Sequence, residues 1–251
     1  MRVDLLCSGS KGNSCLVRSH GSSILIDCGS TKKHLFQSLK DAKADLSNMD
    51  GVLITHGHVD HISQLKHVAH LPIYSYCDLK DVQNHTIVQP KESFDLGHFH
   101  IQVIGLSHDA PNTVGYVIED GAEKLVYITD TGYVPNVYKP LLENADTYIF
   151  ESNHDVKTLM STSRPMFVKQ RILGDSGHLN NEDASLNLSQ LVNMKTKDII
   201  LAHISQEGNT PDLALETLHS CFLKRDLPLH SIRIQAAGQY ERMVVDKSVS
   251  I

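Results

Sequence analysis

The sequence contains no tryptophan, only 6% aromatic residues, and five cysteines that include no C-x-x-C pair. The cysteines are Cys7, Cys15, Cys28, Cys77 and Cys221. Their odd number and their spacing argue against a disulfide framework and indicate reduced, mostly buried thiols in a reducing compartment.

An excess of positive charge and long apolar segments are also missing. The formal net charge is −6, so the chain lacks the overall basic character of many nucleic-acid-binding proteins. A local basic rim around an acidic site would leave that total unchanged. The apolar run at residues 3–7 is too short for the core of a signal peptide or for a membrane span. We therefore predict a cytoplasmic protein without a membrane partner.

The remaining composition is that of a soluble globular protein, with 41% hydrophobic and 21% charged residues in 251 positions. This length gives room for a substantial core, and we predict a single domain over residues 1–251. The sequence does not indicate the oligomeric state.

Short apolar and β-prone runs separated by turn residues predict many strands, and runs with helical spacing predict several helices. The predicted strands are residues 3–7, 14–19, 23–27, 51–54, 73–76, 99–104, 114–119, 124–129, 146–150, 198–204 and 242–245. The predicted helices are residues 32–41, 63–70, 181–194 and 211–223. Two β-rich halves without a linker favour an α/β fold in which two sheets pack face to face with helices outside.

A turn rich in metal-binding side chains follows the predicted strand Gly51–Ile54 and reads Thr-His-Gly-His-Val-Asp-His over residues 55–61. His56 and His58 alternate, so an extended turn can point both imidazoles to one side. Asp60 and His61 fall where a helix would begin and can face the other side of the same pocket. Two neighbouring metal ions require such an arrangement, with ligands on both sides of a shared cavity.

The motif His-x-His-x-Asp-His after an apolar strand resembles the signature of the metallo-β-lactamase superfamily of hydrolases and nucleases. The resemblance implies an αββα sandwich, in which two packed mixed β-sheets are flanked by helices. Three further side chains follow predicted strands in the chain order of that superfamily, and these are His108, Asp130 and His203. The resemblance implies one metal held by His56, His58 and His108, a second held by Asp60, His61 and His203, and a bridge from Asp130.

These ligand types favour two divalent ions and leave zinc, manganese or iron open. Imidazoles suit zinc, while the carboxylates of Asp60 and Asp130 also tolerate manganese or iron. A bridging carboxylate holds two cations near one water and lowers its pKa, which gives a metal-bridging hydroxide at neutral pH. Lactamases of the zinc type commonly have cysteine where this chain has Asp130, which argues against β-lactam hydrolysis.

A carboxylate and a histidine in the second half can form a proton donor. Glu151 follows the strand predicted at residues 146–150, and His178 precedes the helix predicted at residues 181–194. Phosphodiester cleavage needs a proton for the leaving alkoxide, and a histidine oriented by a carboxylate can supply it. Taken singly, His178 could cap a helix and Glu151 could be a surface acid. Their order before His203 resembles that of the tRNA-maturing nucleases of the superfamily, so we predict Asp60, His178 and Glu151 as catalytic residues.

Two stretches are candidates for substrate contact. In the loop at residues 8–14, glycines can let backbone N–H groups approach a phosphate, although a flexible turn would look similar. The densest basic stretch near the proposed site spans residues 161–171 and suits a phosphate backbone, although a solvated helix face would look the same. The predicted substrate-binding residues are Lys11, Asn13, Arg164, Lys169 and Arg171.

Several loose motifs together narrow the resemblance. They are Ser-Gly-Ser-Lys-Gly-Asn-Ser at residues 8–14, Glu-Ser-Asn-His-Asp at 151–155, Ser-Gly-His-Leu-Asn-Asn-Glu-Asp-Ala at 176–184, and Leu-Ala-His-Ile-Ser at 201–205. Jointly they look like the YycJ (WalJ) family of bacterial metallo-hydrolases over nearly the whole chain. That family is associated with 5′-to-3′ exonuclease activity on DNA and, by genomic association, with a cell-wall two-component system.

The resemblance therefore implies a dinuclear metal-dependent nuclease acting on DNA or another nucleic acid. The alternatives are a small-molecule phosphodiesterase acting on cyclic or terminal phosphate esters, and a non-catalytic regulatory protein that keeps the metals for structure. A glyoxalase-type thioesterase would leave Glu151 and His178 without an evident task. The complete set of seven ligands argues against loss of catalysis.

Overall fold

In the computed structural model, which describes residues 1–80, 82–227 and 229–246, the strands form two seven-stranded sheets. The strands are β1 (Arg2–Cys7), β2 (Ser14–Ser19), β3 (Ser22–Ile26), β4 (Gly51–Ile54), β5 (Ile73–Ser75), β6 (His85–Ile87), β7 (Ser93–Leu96), β8 (Phe99–Gly105), β9 (Val114–Glu119), β10 (Lys124–Ile128), β11 (Thr147–Glu151), β12 (Asp198–Ala202), β13 (Arg233–Ala236) and β14 (Met243–Asp246). The α-helices are α1 (Lys32–Asp41), α2 (Val59–Ile62), α3 (Leu65–Val68), α4 (Lys139–Leu142), α5 (Val156–Ser161), α6 (Met166–Leu173), α7 (Asn181–Leu191) and α8 (Pro211–Lys224). Short 3₁₀ turns occupy Leu46–Asn48, Asn136–Tyr138 and Leu229–Ser231.

Each sheet is antiparallel on one side and parallel on the other. The first sheet has the order β14-β1-β2-β3-β4-β5-β6, and the second has the order β13-β12-β11-β10-β9-β8-β7. The strands from β3 to β6 run parallel in the first sheet, as do β10 to β13 in the second. The carboxyl ends of the parallel strands in each sheet therefore meet at one edge of that sheet.

Three buried clusters form the layers of a sandwich. The cluster between the sheets includes Leu5, Val17, Ile101 and Tyr116. A second cluster joins the second sheet to α7 and α8, and a third joins the first sheet to α1. Neighbouring residues of one strand, such as Leu5 and Leu6, enter different clusters because successive side chains point to opposite faces. The αββα sandwich implied by the resemblance is thus confirmed.

The three strands that sequence patterns missed lie at sheet edges. They are β6, β7 and β13, and most of their residues are only partly buried or exposed. An edge strand lacks a neighbour on one side, and its side chains contribute few apolar residues to the core. The period-2 apolar pattern that indicates a strand is therefore weak in these segments.

The helix predicted at residues 63–70 is wrong in extent, because two short helices, α2 and α3, occupy residues 59–68. Between them, the Gln64 backbone N–H donates to the Cys28 carbonyl at 2.9 Å. The side chains of Ser63 and Gln64 both donate to the Ser30 carbonyl at 2.7 Å. These contacts hold the chain against the loop after β3 and interrupt the helix.

Two of the other predicted helices begin with side-chain caps. Asn180 accepts a hydrogen bond from the Asp183 N–H at the start of α7, and Thr210 accepts one from the Leu213 N–H at the start of α8. Helix α7 ends at Leu191, three residues before the predicted end, because Val192 takes an extended conformation. Within the described residues, no helix is long and apolar enough to cross a membrane.

Two buried tyrosines that face each other on β9 and β10 give a test of the packing between the sheets. The Tyr116 hydroxyl donates to the Ile54 carbonyl of the first sheet at 2.7 Å, whereas the Tyr127 hydroxyl meets no hydrogen-bond partner among the described residues. Tyr116→Phe should lower the free energy of unfolding by about 1 kcal/mol, because it removes a buried hydrogen bond. The matched change Tyr127→Phe should be neutral or stabilising in urea denaturation. Equal losses in both variants would contradict this account.

Candidate metal centre

Strand ends from both sheets bring the predicted ligands into one cavity. His56 and His58 lie between β4 and α2, and α2 contains Asp60 and His61, as predicted. His108 follows β8, Asp130 follows β10, and His203 follows β12. Ligand atoms within 4.8 Å of one another form three overlapping groups, which are His56, His58 and His108; His56, His61 and Asp130; and Asp130, Glu151, His178 and His203.

The carboxylate of Asp130 belongs to two of these three groups. Its Oδ2 is 3.3 Å from His61 Nε2, and its Oδ1 is 2.9 Å from His203 Nδ1. The same Oδ1 lies 3.8 Å from His108 Nε2. Asp130 therefore contacts histidines from both halves of the centre, which supports the bridging position expected for it.

A buried hydrogen-bonded pair orients His61. Asp27, directly after β3, lies with Oδ2 2.8 Å from His61 Nδ1. Asp27 also accepts hydrogen bonds from the backbone N–H and the hydroxyl of Thr55, at 2.8 and 2.9 Å. A carboxylate behind an imidazole fixes the tautomer and aims the other ring nitrogen at a metal position. Here that nitrogen is Nε2, which faces Asp130.

Backbone groups fix two more histidines. His108 Nδ1 is 3.1 Å from the Gly177 carbonyl, so the ring donates there and its Nε2 faces Asp130. The His203 N–H donates to the Ser8 hydroxyl at 2.8 Å, and its carbonyl accepts from the Asn153 amide at 2.8 Å. Segments far apart in sequence thus fix the ring of His108 and the backbone of His203 before any ligand binds.

Three residues of this centre have left-handed backbone conformations that residues other than glycine rarely adopt. Their φ angles are 57° at Asp27, 59° at Asp130 and 54° at His203. Asp27 and His203 directly follow the parallel strands β3 and β12, and Asp130 is the second residue after β10. At these points the chain must turn sharply across the sheet edge. Strained backbone of this kind persists where the surroundings fix it, and it clusters at functional sites.

Ionic contacts within the cluster outweigh the effect of burial on the pKa values of Asp130, His203 and His61. Burial raises the pKa of Asp130, but His203 and His61 outweigh burial and hold that pKa well below its usual value. Burial lowers the pKa of His203, but Asp130 and Glu151 raise it to about 10. Burial likewise opposes the raised pKa of His61, which Asp27 and Asp130 produce. The buried carboxylates therefore favour positive charge beside them, which divalent metals can supply.

Two buried atoms in the cavity also fit a metal. His56 Nε2 and Asp130 Oδ2 have no hydrogen-bond partner among the described residues. Burying polar atoms without partners is costly, and a cation between them would satisfy both. Nitrogen and carboxylate oxygen are donors that zinc, manganese and iron accept. The residues present thus fit divalent metal ions.

The predicted proton donor pair is formed. His178 Nδ1 is 2.7 Å from Glu151 Oε1, and 3.8 Å from Asp130 Oδ1. The other oxygen of Glu151 accepts the backbone N–H groups of Thr131 and Leu179 at 2.9 and 3.2 Å. Burial raises the pKa of Glu151, but His178 and His203 lower it to about 2, so the carboxylate is ionised.

The loop at residues 8–14 has a different role from the one predicted. Its backbone N–H groups at Gly9, Lys11, Gly12 and Asn13 are already bonded within the protein. The buried Asn13 amide lies 3.2 Å from Asp60 Oδ2 and 2.9 Å from His61 Nε2. A Cβ on Gly12 would lie 2.4 Å from the Ser30 backbone, so this glycine permits close packing rather than an approach to phosphate. The side chain of Lys11 is exposed and stays available for substrate.

The three predicted basic residues differ in position. The Lys169 ammonium is buried and donates to the carbonyls of Met160 and Thr162, at 2.7 and 2.8 Å, so the expectation of substrate contact is corrected to a structural role. Arg164 pairs with the exposed Glu207 at 2.9 Å. Arg171 is exposed and lies 3.2 Å from Asp109 Oδ2.

Sequence reasoning missed Asp109 and Asp27. Asp109 Oδ1 lies 3.2 Å from His108 Nε2 and 3.7 Å from His58 Nε2, so it borders the first group of histidines. Its position beside His108 was a usable signal. Asp27 also ends a predicted strand, but its role depends on its contact with His61, which lies 34 positions away in the sequence.

Comparisons with known proteins agree with this geometry. Residues 22–204 match the model of the β-lactamase superfamily domain. The chain is 34% identical over 227 residues to exodeoxyribonuclease YycJ of Bacillus anthracis, covering 85% of this chain and 86% of the relative. It is 33% identical over 241 residues to exodeoxyribonuclease WalJ of Streptococcus pneumoniae, covering 90% of each. Among solved structures, the metallo-β-lactamase fold protein YhfI from Bacillus subtilis superposes with a TM-score of 0.73 at 21% identity, covering 97% of this chain and 98% of that one.

The contact between Asp27 and His61 predicts how metal affinity depends on residues outside the ligand set. Asp27→Asn should weaken metal binding by about 10- to 100-fold, because His61 loses the carboxylate that fixes its tautomer. Chelator competition on the purified protein measures this change. The exposed pair Asp95–His100 has the same 2.8 Å contact outside the centre, so Asp95→Asn is the control and should leave affinity unchanged. Unchanged affinity in Asp27→Asn would show that His61 needs no such support.

Proposed function

The chain belongs to the β-lactamase superfamily, in the family of the exodeoxyribonucleases YycJ and WalJ, and we propose that it is a metal-dependent exonuclease that degrades DNA from the 5′ end. The family supports a metal-dependent hydrolase of phosphodiester bonds. The preference for DNA, the 5′-to-3′ direction and two metal ions are parts of the proposal.

The observation that carries the proposal is the hydrogen bond from His178 to Glu151 beside Asp130. It joins a candidate proton donor to a cluster that fits metal ions, and cleavage of an alkyl phosphodiester needs both. A protein that used metals for structure alone would gain nothing from a buried acid–histidine pair at the rim of the cluster.

The ligand roles follow the superfamily resemblance, and the contacts of Asp130 and of Asp60 with His61 support them. We assign His56, His58 and His108 to one metal, Asp60, His61 and His203 to the other, and Asp130 to both. Two divalent ions, zinc, manganese or iron, would supply an activated water and offset the charge of the phosphate. The Asn13 amide contacts both Asp60 and His61 and would help to orient these two ligands of the second metal.

His178 acts as the general acid in this proposal. Its Nδ1 donates to ionised Glu151, which leaves Nε2 to face the substrate and to deliver a proton to the departing sugar oxygen. Glu151 is held in turn by the backbone N–H groups of Thr131 and Leu179, so the imidazole is oriented before substrate binds. Glu151 is therefore a positioning residue for His178.

Basic side chains at the rim would hold the phosphate backbone. Arg171 lies beside Asp109 and the first histidine group, and Lys11 lies on the loop that packs against Asp60. Arg164 stands at the start of α6 and is paired with Glu207. Phosphate contacts of this kind fix the position of the strand and do not read its sequence.

Digestion of linear duplex DNA with separate 5′ and 3′ end labels tests the proposal. The metal-reconstituted protein, with Mn²⁺ or Zn²⁺, should remove nucleotides stepwise from the 5′ end, and Asp60→Ala should abolish the reaction. Loss from the 3′ end alone would overturn the direction. Failure to cleave DNA at full metal occupancy, with hydrolysis of a cyclic nucleotide, would favour a small-molecule phosphodiesterase, and no hydrolysis at all would favour a regulatory protein.

Removing the imidazole of His178 separates proton donation from metal binding. His178→Ala should keep its metal content and lose about 100- to 10,000-fold in turnover on DNA, which is the usual contribution of a general acid. Hydrolysis of bis(4-nitrophenyl) phosphate should fall far less, because 4-nitrophenolate departs without a proton. His100→Ala, at an exposed histidine outside the centre, is the control. Loss of metal in His178→Ala would mean that His178 is a ligand.

A further inference from the structure

The two helices between Glu151 and His178 expose apolar side chains beside the metal cluster. These side chains are Val156, Met160, Met166, Phe167 and Leu173. Phe167 stands out because 72% of its surface is exposed. Nothing in the mechanism above uses it, and an aromatic ring in water contributes nothing to the core.

Phe167 lies on the same face of α6 as Arg171. Helix α6 buries Lys169 and Ile172, which turns the opposite face outward. Residues four apart are neighbours on a helix surface, so the Phe167 ring stands one turn before the Arg171 guanidinium. Arg164 lies three residues before Phe167, and the ring is thus flanked by cationic residues along the chain.

Arg171 connects this face to the metal cluster. Its Nη1 lies 3.2 Å from Asp109 Oδ2, and the other oxygen of Asp109 lies 3.2 Å from His108 Nε2. The end of α6 leads directly to Gly177, whose carbonyl holds His108, and to His178. The aromatic ring is therefore about 6 Å along the helix from a side chain that reaches the cluster.

We propose that Phe167 is a stacking platform for a base of a single-stranded nucleic-acid end, and that Arg171 holds the adjoining phosphate. This inference rests on the proposed nuclease function and names the form of its substrate. Proteins that bind single strands without sequence preference combine aromatic faces for the bases with basic side chains for the backbone. The α6 face carries both, and it continues into the reacting centre.

The chemistry of the surface favours a nucleic acid over a protein partner. A protein-docking patch is a broad apolar area with a polar rim. Phe167 is the most exposed apolar side chain here, and it lies along the chain between Arg164 and Arg171, whose charges would have to be desolvated against a protein surface. A base with its phosphate matches both the ring and the charge.

The test compares Phe167→Ala, Phe167→Trp and the control Phe36→Ala, which removes a partly exposed ring on α1. For a 5′-phosphorylated single-stranded oligonucleotide, Phe167→Ala should raise KM by about 5- to 100-fold, as expected for the loss of one stacked base, with little change in kcat. Phe167→Trp should restore KM, and Phe36→Ala should leave it unchanged. Hydrolysis of bis(4-nitrophenyl) phosphate and metal content should be the same in all variants.

Each result separates this inference from the proposed function. An unchanged KM for the oligonucleotide in Phe167→Ala overturns the stacking role and leaves the nuclease intact. A change in molecular mass by sedimentation, with KM unchanged, identifies the face as a contact between copies of the chain and also overturns it. A parent protein that cleaves duplex DNA but no single-stranded oligonucleotide overturns this inference alone. One that hydrolyses bis(4-nitrophenyl) phosphate but cleaves neither DNA substrate overturns the nuclease function itself.

Discussion

The buried carboxylate of Asp130 is the group on which the whole centre depends. It carries a negative charge while only 2% exposed, which is costly unless cations surround it. His61 and His203 lie against its two oxygens, and they come from different sheets of the sandwich. The carboxylate therefore joins the two sheets electrostatically at the edge where their parallel strands end, and it sets the place where metal ions fit.

Around this carboxylate, further hydrogen bonds hold the candidate metal ligands in place. Asp27 and Thr55 fix His61, the Gly177 carbonyl fixes His108, and the Ser8 hydroxyl fixes the backbone at His203. The positive φ angles at Asp27, Asp130 and His203 show that the sandwich bears local strain at three points of the centre. Strain at these positions is tolerable because the clusters on both faces of the sheets hold the strands that lead into them.

The rim of the centre is divided between structure and substrate. In the sequence, Asn13 and Lys169 resemble residues that bind phosphate. In the structure, both form hydrogen bonds within the protein. Lys11 and Arg171 remain exposed, and Arg171 connects the outer face of α6 to the histidines through Asp109. A negatively charged chain can in this way present positive charge locally, which the net charge of −6 does not reveal.

Much of the molecule was determined by the sequence alone, because alternating apolar residues, caps and turn residues act locally. They predicted two sheets, the helices that became α7 and α8, and a helix beginning at the metal turn. The order of the histidines and acids along the chain indicated the same cavity that the fold forms. The edge strands β6, β7 and β13, the break between α2 and α3, and the contacts of Asp27, Asn13, Asp109 and Lys169 were decided only by the tertiary structure. Each of these depends on residues distant in sequence that become neighbours when the sheets pack, and no local pattern carries that distance.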